Sequence, residues 1–218
     1  MKYPTGAIYK GEWKDDKREG NGIITYESET KFEGIWINNR RNGFGKQICI
    51  NGEEYEGNWT DSYRNGNGTM KYANGDIFKG EWEKSERHER GLYILKDGRK
   101  VAGNWINDDL QPVVKIEYPH GNRYEGKIKD ESFQKHGKGT LFFNNGGQFN
   151  GCWDNDTEIG KGKYTLECSD RTYEEFWEGG RVCDSVLTIA DGTKYEAIWK
   201  EVKKEKPTKG TKKKQNCK

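Results

Sequence analysis

Three histidines, five cysteines and an abundance of carboxylates are the side chains of this 218-residue sequence that could do chemistry. A histidine works as a general base only with a group to orient it and a pocket to face. His88 and His136 fall in stretches that read as inter-strand loops, and His120 takes the Asn place of a turn. None stands beside a recurring Ser or Cys. Cys49, Cys152, Cys168, Cys183 and Cys217 are odd in number and contain no C-x-x-C pair. That spacing suggests neither a zinc site nor a disulfide framework, and it fits reduced thiols in an intracellular compartment. Cys49 lies in an inward column, which predicts burial as a small hydrophobe. Acidic pairs such as Asp15/Asp16, Glu53/Glu54 and Asp108/Asp109 sit in turns or on outward faces, where solvation is the default. Gly-x-Gly segments recur, but without G-x-G-x-x-G spacing or a following helix pattern they do not cradle phosphate. The chemistry-bearing residues therefore predict no catalytic site, no metal and no cofactor.

The elements that position these residues are unusual. Leu, Ile, Val and Phe number only 35, and mean hydropathy is −1.18. Such a low count with high net charge would mean disorder. Net charge is only +2, however, and there are 8 Trp, 12 Tyr and 29 Gly. A core of aromatics and glycines is predicted, in an all-β or repeat architecture. No stretch reaches the ~18 apolar residues of a membrane span. Met1 to Trp13 has no apolar leader core, so the sequons at Asn58, Asn67 and Asn155 are expected to go unused. The charge is uneven. Residues 200–218 hold nine lysines and two glutamates, leaving the body at a net −5.

The tryptophans disclose a repeat. Trp13, Trp36, Trp59, Trp82 and Trp105 are each 23 residues apart, and Trp153, Trp177 and Trp199 continue at slightly longer or shorter intervals. Ile128 fills the sixth of nine anchor places. The anchors read aromatic-x-Gly-x-Trp: Tyr9 to Trp13, Phe32 to Trp36, Tyr55 to Trp59, Phe78 to Trp82, and Phe149 to Trp153. Alternation at period two is a strand signal. Seven residues after Trp comes Gly-x-Gly, as at Gly20/Gly22 and Gly66/Gly68, and a second alternating run follows. Asn-Gly or Asp-Gly pairs such as Asn51-Gly52 and Asp97-Gly98 close each unit, and predict tight hairpins. Bare glycine within strands implies that rings lie flat over the backbone there.

This pattern resembles the MORN family (membrane occupation and recognition nexus), over Ile8 to Trp199. The fifth unit departs, with Val101 for the aromatic and Gln111-Pro112-Val113-Val114 for Gly-x-Gly; Glu175 and Ala197 replace later anchor glycines. The resemblance implies a single elongated, twisted sheet of about nine tandem antiparallel hairpins over residues 1–199, followed by a Lys-rich tail, 200–218. Nine anchors allow up to 18 strands, roughly 80 Å long before curvature.

A non-enzymatic scaffold is the expected function, with a protein partner on the long face. The anchors would be structural, and as a face they are candidate partner contacts. The resemblance adds a cytoskeletal or ciliary setting, because MORN proteins include radial-spoke components and membrane-skeleton organisers. A cytoplasmic location follows from that setting. Two alternatives stand beside it. Lys203, Lys204, Lys212, Lys213 and Lys214 could contact an anionic partner, making the chain a tether for phosphoinositides or other anionic lipid at the membrane periphery. MORN repeats also accompany lipid kinase and methyltransferase domains, which suggests a regulatory subunit of a larger enzyme complex. No aromatic is interleaved in the tail, so nucleic acid is disfavoured. Open sheet ends allow a homodimer.

Overall fold

The computed structural model describes residues 1–166, 171–178, 180–189 and 191–198. Trp199 and the five candidate tail lysines lie outside the described residues. The described chain is all β: one sheet of 18 strands. Four regular hairpins come first: β1 (Ile8–Lys14) with β2 (Lys17–Thr25), β3 (Lys31–Ile37) with β4 (Arg40–Ile48), β5 (Glu54–Thr60) with β6 (Tyr63–Lys71), and β7 (Ile77–Glu83) with β8 (Glu86–Ile94). The fifth unit is β9 (Lys100–Ile106), β10 (Asp109–Leu110) and β11 (Val113–Glu117). Then follow β12 (Arg123–Ile128), β13 (Lys135–Phe142), β14 (Gln148–Asp154), β15 (Thr157–Thr165), β16 (Thr172–Glu178), β17 (Arg181–Thr188) and β18 (Lys194–Ile198).

Every pairing is antiparallel and local, so each hairpin leans on its sequence neighbours. Glycines face glycines across the ladder, as in Gly34↔Gly45, Gly57↔Gly68 and Gly126↔Gly139. The strand total of 18 equals the expected maximum by another route. The second strand of unit five is split in two, and within the described residues the ninth unit contributes only β18. Both β10 and β11 pair with β9, so the sheet continues past Gln111-Pro112. Proline has no N–H for a ladder, but the Pro112 carbonyl still accepts from the Ile128 N–H at 2.8 Å.

Two turn classes alternate, and they correct the expectation for Asn-Gly. The two-residue turns join strands within a unit and carry no glycine in the first five: Asp15-Asp16, Asn38-Asn39, Asp61-Ser62, Lys84-Ser85 and Asn107-Asp108 all have positive φ at both residues. That is the type I′ pattern, whose twist matches the flanking strands. Asn-Gly, at the unit ends where the sequence places it, closes a three-residue loop instead of a two-residue turn. In Tyr72 to Asp76, Gly75 N–H donates to the Tyr72 carbonyl, and Tyr72 N–H to the Asp76 carbonyl. Three loop residues, the last a left-handed glycine, produce this geometry. The histidine placement is also corrected: His88 lies within β8 and His136 within β13.

The core lies on one face of the sheet. Its two clusters are Ala7 to Trp105 and Val101 to Trp153. Among the described residues no second layer covers it, and the rings press onto their own sheet. A methyl group on Gly68 would stand 2.3 Å from the Tyr55 hydroxyl and 2.6 Å from its ring carbons, so this site admits only glycine.

Candidate functional site

Of the ten anchors, nine are buried: Tyr9, Phe32, Trp36, Tyr55, Trp59, Phe78, Trp82, Phe149 and Trp153. Trp13, on edge strand β1, is 41% exposed. The buried rings form an edge-to-face ladder. Centroids run Tyr9–Trp36 5.5 Å, Trp36–Phe32 5.4 Å, Phe32–Trp59 5.2 Å, Trp59–Tyr55 5.2 Å and Tyr55–Trp82 5.4 Å, ending at Phe78–Trp105 5.0 Å. Such contacts add about 0.5–1.5 kcal/mol beyond area burial. The polar handles are absorbed as well. Indole N–H groups of Trp36 and Trp59 each donate at 3.1 Å to a glycine carbonyl in the preceding unit. Tyr9 and Tyr55 hydroxyls donate at 3.1 Å to carbonyls three residues on. Burial pushes the Tyr55 phenol up to about 12. These anchors are spent on the array.

What covers the tryptophans is a column the sequence reading did not single out. Arg18, Arg41 and Arg64, each 23 residues apart, lay their guanidinium carbons over Trp36, Trp59 and Trp82 at 4.1, 4.2 and 4.4 Å. Arg87 continues the register, 5.9 Å from Phe78. A planar, weakly hydrated cation on an aromatic face is a favourable contact. The turn of the next unit fixes each one. Arg41 Nη2 donates to the Ser62 carbonyl at 2.8 Å, and the Ser62 hydroxyl accepts from Arg41 N–H at 3.0 Å. Arg64 repeats this with Ser85, and Arg18 uses Asn39. A count of basic residues at period 23 would have revealed the column. Lys135, over Trp153 at 4.8 Å, plays the part in the second cluster.

Between the arginines opens a polar recess of about 330 Å³, lined by Arg41, Arg64, Gln47, Cys49 and Glu53. Cys49, expected to be buried, is half-buried at this recess, with its sulfur accepting from Gln47 Nε2 at 3.3 Å. Its strand ends at the preceding residue, Ile48. Burial lowers the pKa of Arg41 and Arg64. Arg87 is held above its ordinary value: burial pulls it down, and Asp108 and Glu131 more than offset that.

The histidines are dispersed. His88 Nε2 lies 3.5 Å from Glu83, with its Nδ1 unpartnered, and His136 Nδ1 lies 3.2 Å from Asp154. His120 leans on Tyr118. Among the described residues no group of three His, Cys, Asp or Glu is arranged to hold a metal ion. The opposite sheet face carries exposed Ile35, Phe44 and Ile48 among ion pairs such as Lys46–Glu54 at 2.8 Å.

MORN repeats match residues 9–31, 32–54, 55–77, 78–98 and 134–148, and the chain belongs to the MORN-repeat proteins. The match passes over 99–133, where the fifth unit departs. No curated protein matches the chain. Among solved structures, a mutant of the TCP10 domain of CPAP from Danio rerio is 8% identical, covers 91% of this chain and 98% of its own, and has a TM-score of 0.51. That likeness concerns the fold alone. The TCP domain of SAS-4 (dCPAP) from Drosophila melanogaster, in complex with a proline-rich motif of Ana2, is 13% identical, covers 82% of this chain and 90% of its own, and has a TM-score of 0.47.

Proposed function

We propose that the chain is a non-enzymatic scaffold that holds a protein partner on its long sheet face, within a cytoskeletal or ciliary assembly in the cytoplasm. The observation that carries this reading is the run of four contiguous MORN repeats over residues 9–98, whose anchors stabilise the array and leave an ordered column of half-buried arginines above the tryptophans. The cytoskeletal setting rests on the resemblance to radial-spoke and membrane-skeleton MORN proteins. Proximity labelling and affinity capture with the full chain test it. Stoichiometric recovery of a cytoskeletal, axonemal or motor protein is expected; its absence counts against the assignment.

A second reading is a tether to anionic lipid through Lys203, Lys204, Lys212, Lys213 and Lys214, favoured by the nine lysines of the tail. Each basic residue near an anionic surface is worth about 1 kcal/mol. Liposome sedimentation separates the two readings: the full chain should bind and a chain ending at Trp199 should not. Equal or absent binding in both removes the tether.

A further inference from the structure

The arginine column is partnered at one end and open along the rest. Arg87 holds two carboxylates: Asp108 at 3.0 Å from Nε, and Glu131 at 3.0 Å from Nη2. Glu131 comes from 44 residues away, on the inserted loop between β12 and β13. Two residues on, Phe133 is buried at φ 58° and packs on Tyr93 at 5.6 Å. A bulky side chain held in the left-handed region is strained, so the contact must offset that strain. The chain thus lays its own acidic–aromatic segment on the fourth step of the column.

Arg18, Arg41 and Arg64 have no ion-pair partner among the described residues. Arg41 Nη1 spends its hydrogen bond on the neutral Gln47, and the nearest acceptor of Arg64 Nη1 is the Met70 thioether at 3.8 Å. A thioether is a weak acceptor. Glu53 is the carboxylate lining the recess between them, and it makes no ion pair with either. At the places corresponding to Tyr93, on which Phe133 packs, stand Ile24, Gln47 and Met70, and half-buried Tyr26, Cys49 and Tyr72 stand two residues further on. Steps two strands apart are about 10 Å apart, and three residues of polyproline II chain rise about 9 Å and return to the same face.

We propose that Arg18, Arg41 and Arg64 dock an acidic peptide segment in the polyproline II conformation that runs along the array with Asp or Glu at every third residue, as Glu131 docks on Arg87. The inference rests on the scaffold reading and supplies the chemistry of its partner. Guanidinium–carboxylate pairs give strong charge-assisted hydrogen bonds, and their complementarity sets the register of the peptide.

The test uses the full chain and three fluorescent nine-residue peptides, followed by anisotropy. One has Glu at positions one, four and seven; one has the same three Glu adjacent; one has Lys in their place. The spaced peptide should bind at least tenfold more tightly than either control, and more weakly as salt rises. Arg64→Gln should reduce that affinity at least fivefold, while Arg40→Gln leaves it unchanged. Glu131→Gln frees the fourth guanidinium and should raise affinity threefold or more toward a longer peptide with a fourth spaced Glu; this variant keeps the test decisive if Arg64→Gln unfolds. Equal binding of spaced and clustered peptides, indifference to Arg64 and Glu131, or retention of the column by phosphatidylserine vesicles but not by peptide would each overturn the proposal. The scaffold reading fails separately: capture of a stoichiometric partner that survives all the arginine substitutions defeats the docking stripe alone, and capture of none defeats the scaffold.

Discussion

The first four units and the fifth-to-sixth junction solve the same problem in different ways. In the first region a ring lies on a pair of facing glycines, an arginine caps the next tryptophan, and a two-residue turn pins the arginine. At the junction Val101 supplies no ring. Leu110 reaches over Gly103 instead, where an added methyl would meet its terminal carbon at 2.7 Å and otherwise make ordinary contacts with Val114 at 3.4 Å and Trp105 at 3.6 Å. Leu110 also stands where the arginine would be. Trp105 is left with a buried indole N–H that has no partner, and Tyr93, Leu110 and Phe133 bridge the two core clusters. Repetition makes each contact serve many times. A single break needs an inserted loop and several aliphatic residues to repair it.

The largest expected effect comes from filling the glycine floor of the regular region. Gly68→Val should destabilise by about 4 kcal/mol or more in urea unfolding, because the Tyr55 ring cannot move without opening the ladder. Gly103→Ala should cost about 1 kcal/mol, since the Leu110 end can rotate away. Equal losses at the two sites would erase the distinction drawn between rigid and adaptable covering.

Phe133→Ala should cost about 3–5 kcal/mol, the usual large-to-small penalty, because alanine keeps the Cβ that is strained at a positive φ. A loss under 0.5 kcal/mol would show that the loop does not repair the junction.

The regular region should also respond to alkali. The Tyr55 phenol is raised from 10 to about 12 by burial, so its folded pKa lies above the unfolded one. Its contribution is therefore complete below pH 10 and is lost as pH climbs through 12. Alkaline unfolding followed by circular dichroism should begin in that window, and Tyr55→Phe, the residue neighbouring units already use, should delay it. No shift of the transition in that variant would count against the assignment.

Smaller effects test single residues. Glu89 takes the place that Gly20, Gly43 and Gly66 hold, at φ 52°. Glu89→Gly should stabilise by about 1 kcal/mol by removing left-handed strain, and thermal melts that show a loss would refute it. Glu131→Gln should change stability by less than 1 kcal/mol, because Glu131 is half-exposed. Its chief consequence should be in peptide binding.

The repeat, the aromatic–glycine floor and the all-β class were legible because each depends on local spacing that recurs. Tyr55, Gly57 and Trp59 share a face by period two alone. The arginine column was equally periodic but went unread, since a surface cation at a strand start looks like solvated charge until its tryptophan is known to lie beneath it. Cys49 was misplaced because an inward column near a strand end has less cover than one at its middle.

By itself, then, the sequence determined the unit, its register and the fate of its rings, since short-range alternation and glycine pairing leave one way to stack. The tertiary structure alone decided that Asn-Gly closes a three-residue loop and not a two-residue turn, that Glu131 crosses to Arg87, and that three guanidiniums remain without a carboxylate among the described residues. Those facts depend on which residues of different hairpins meet in space, and a spacing of 44 residues encodes no such meeting.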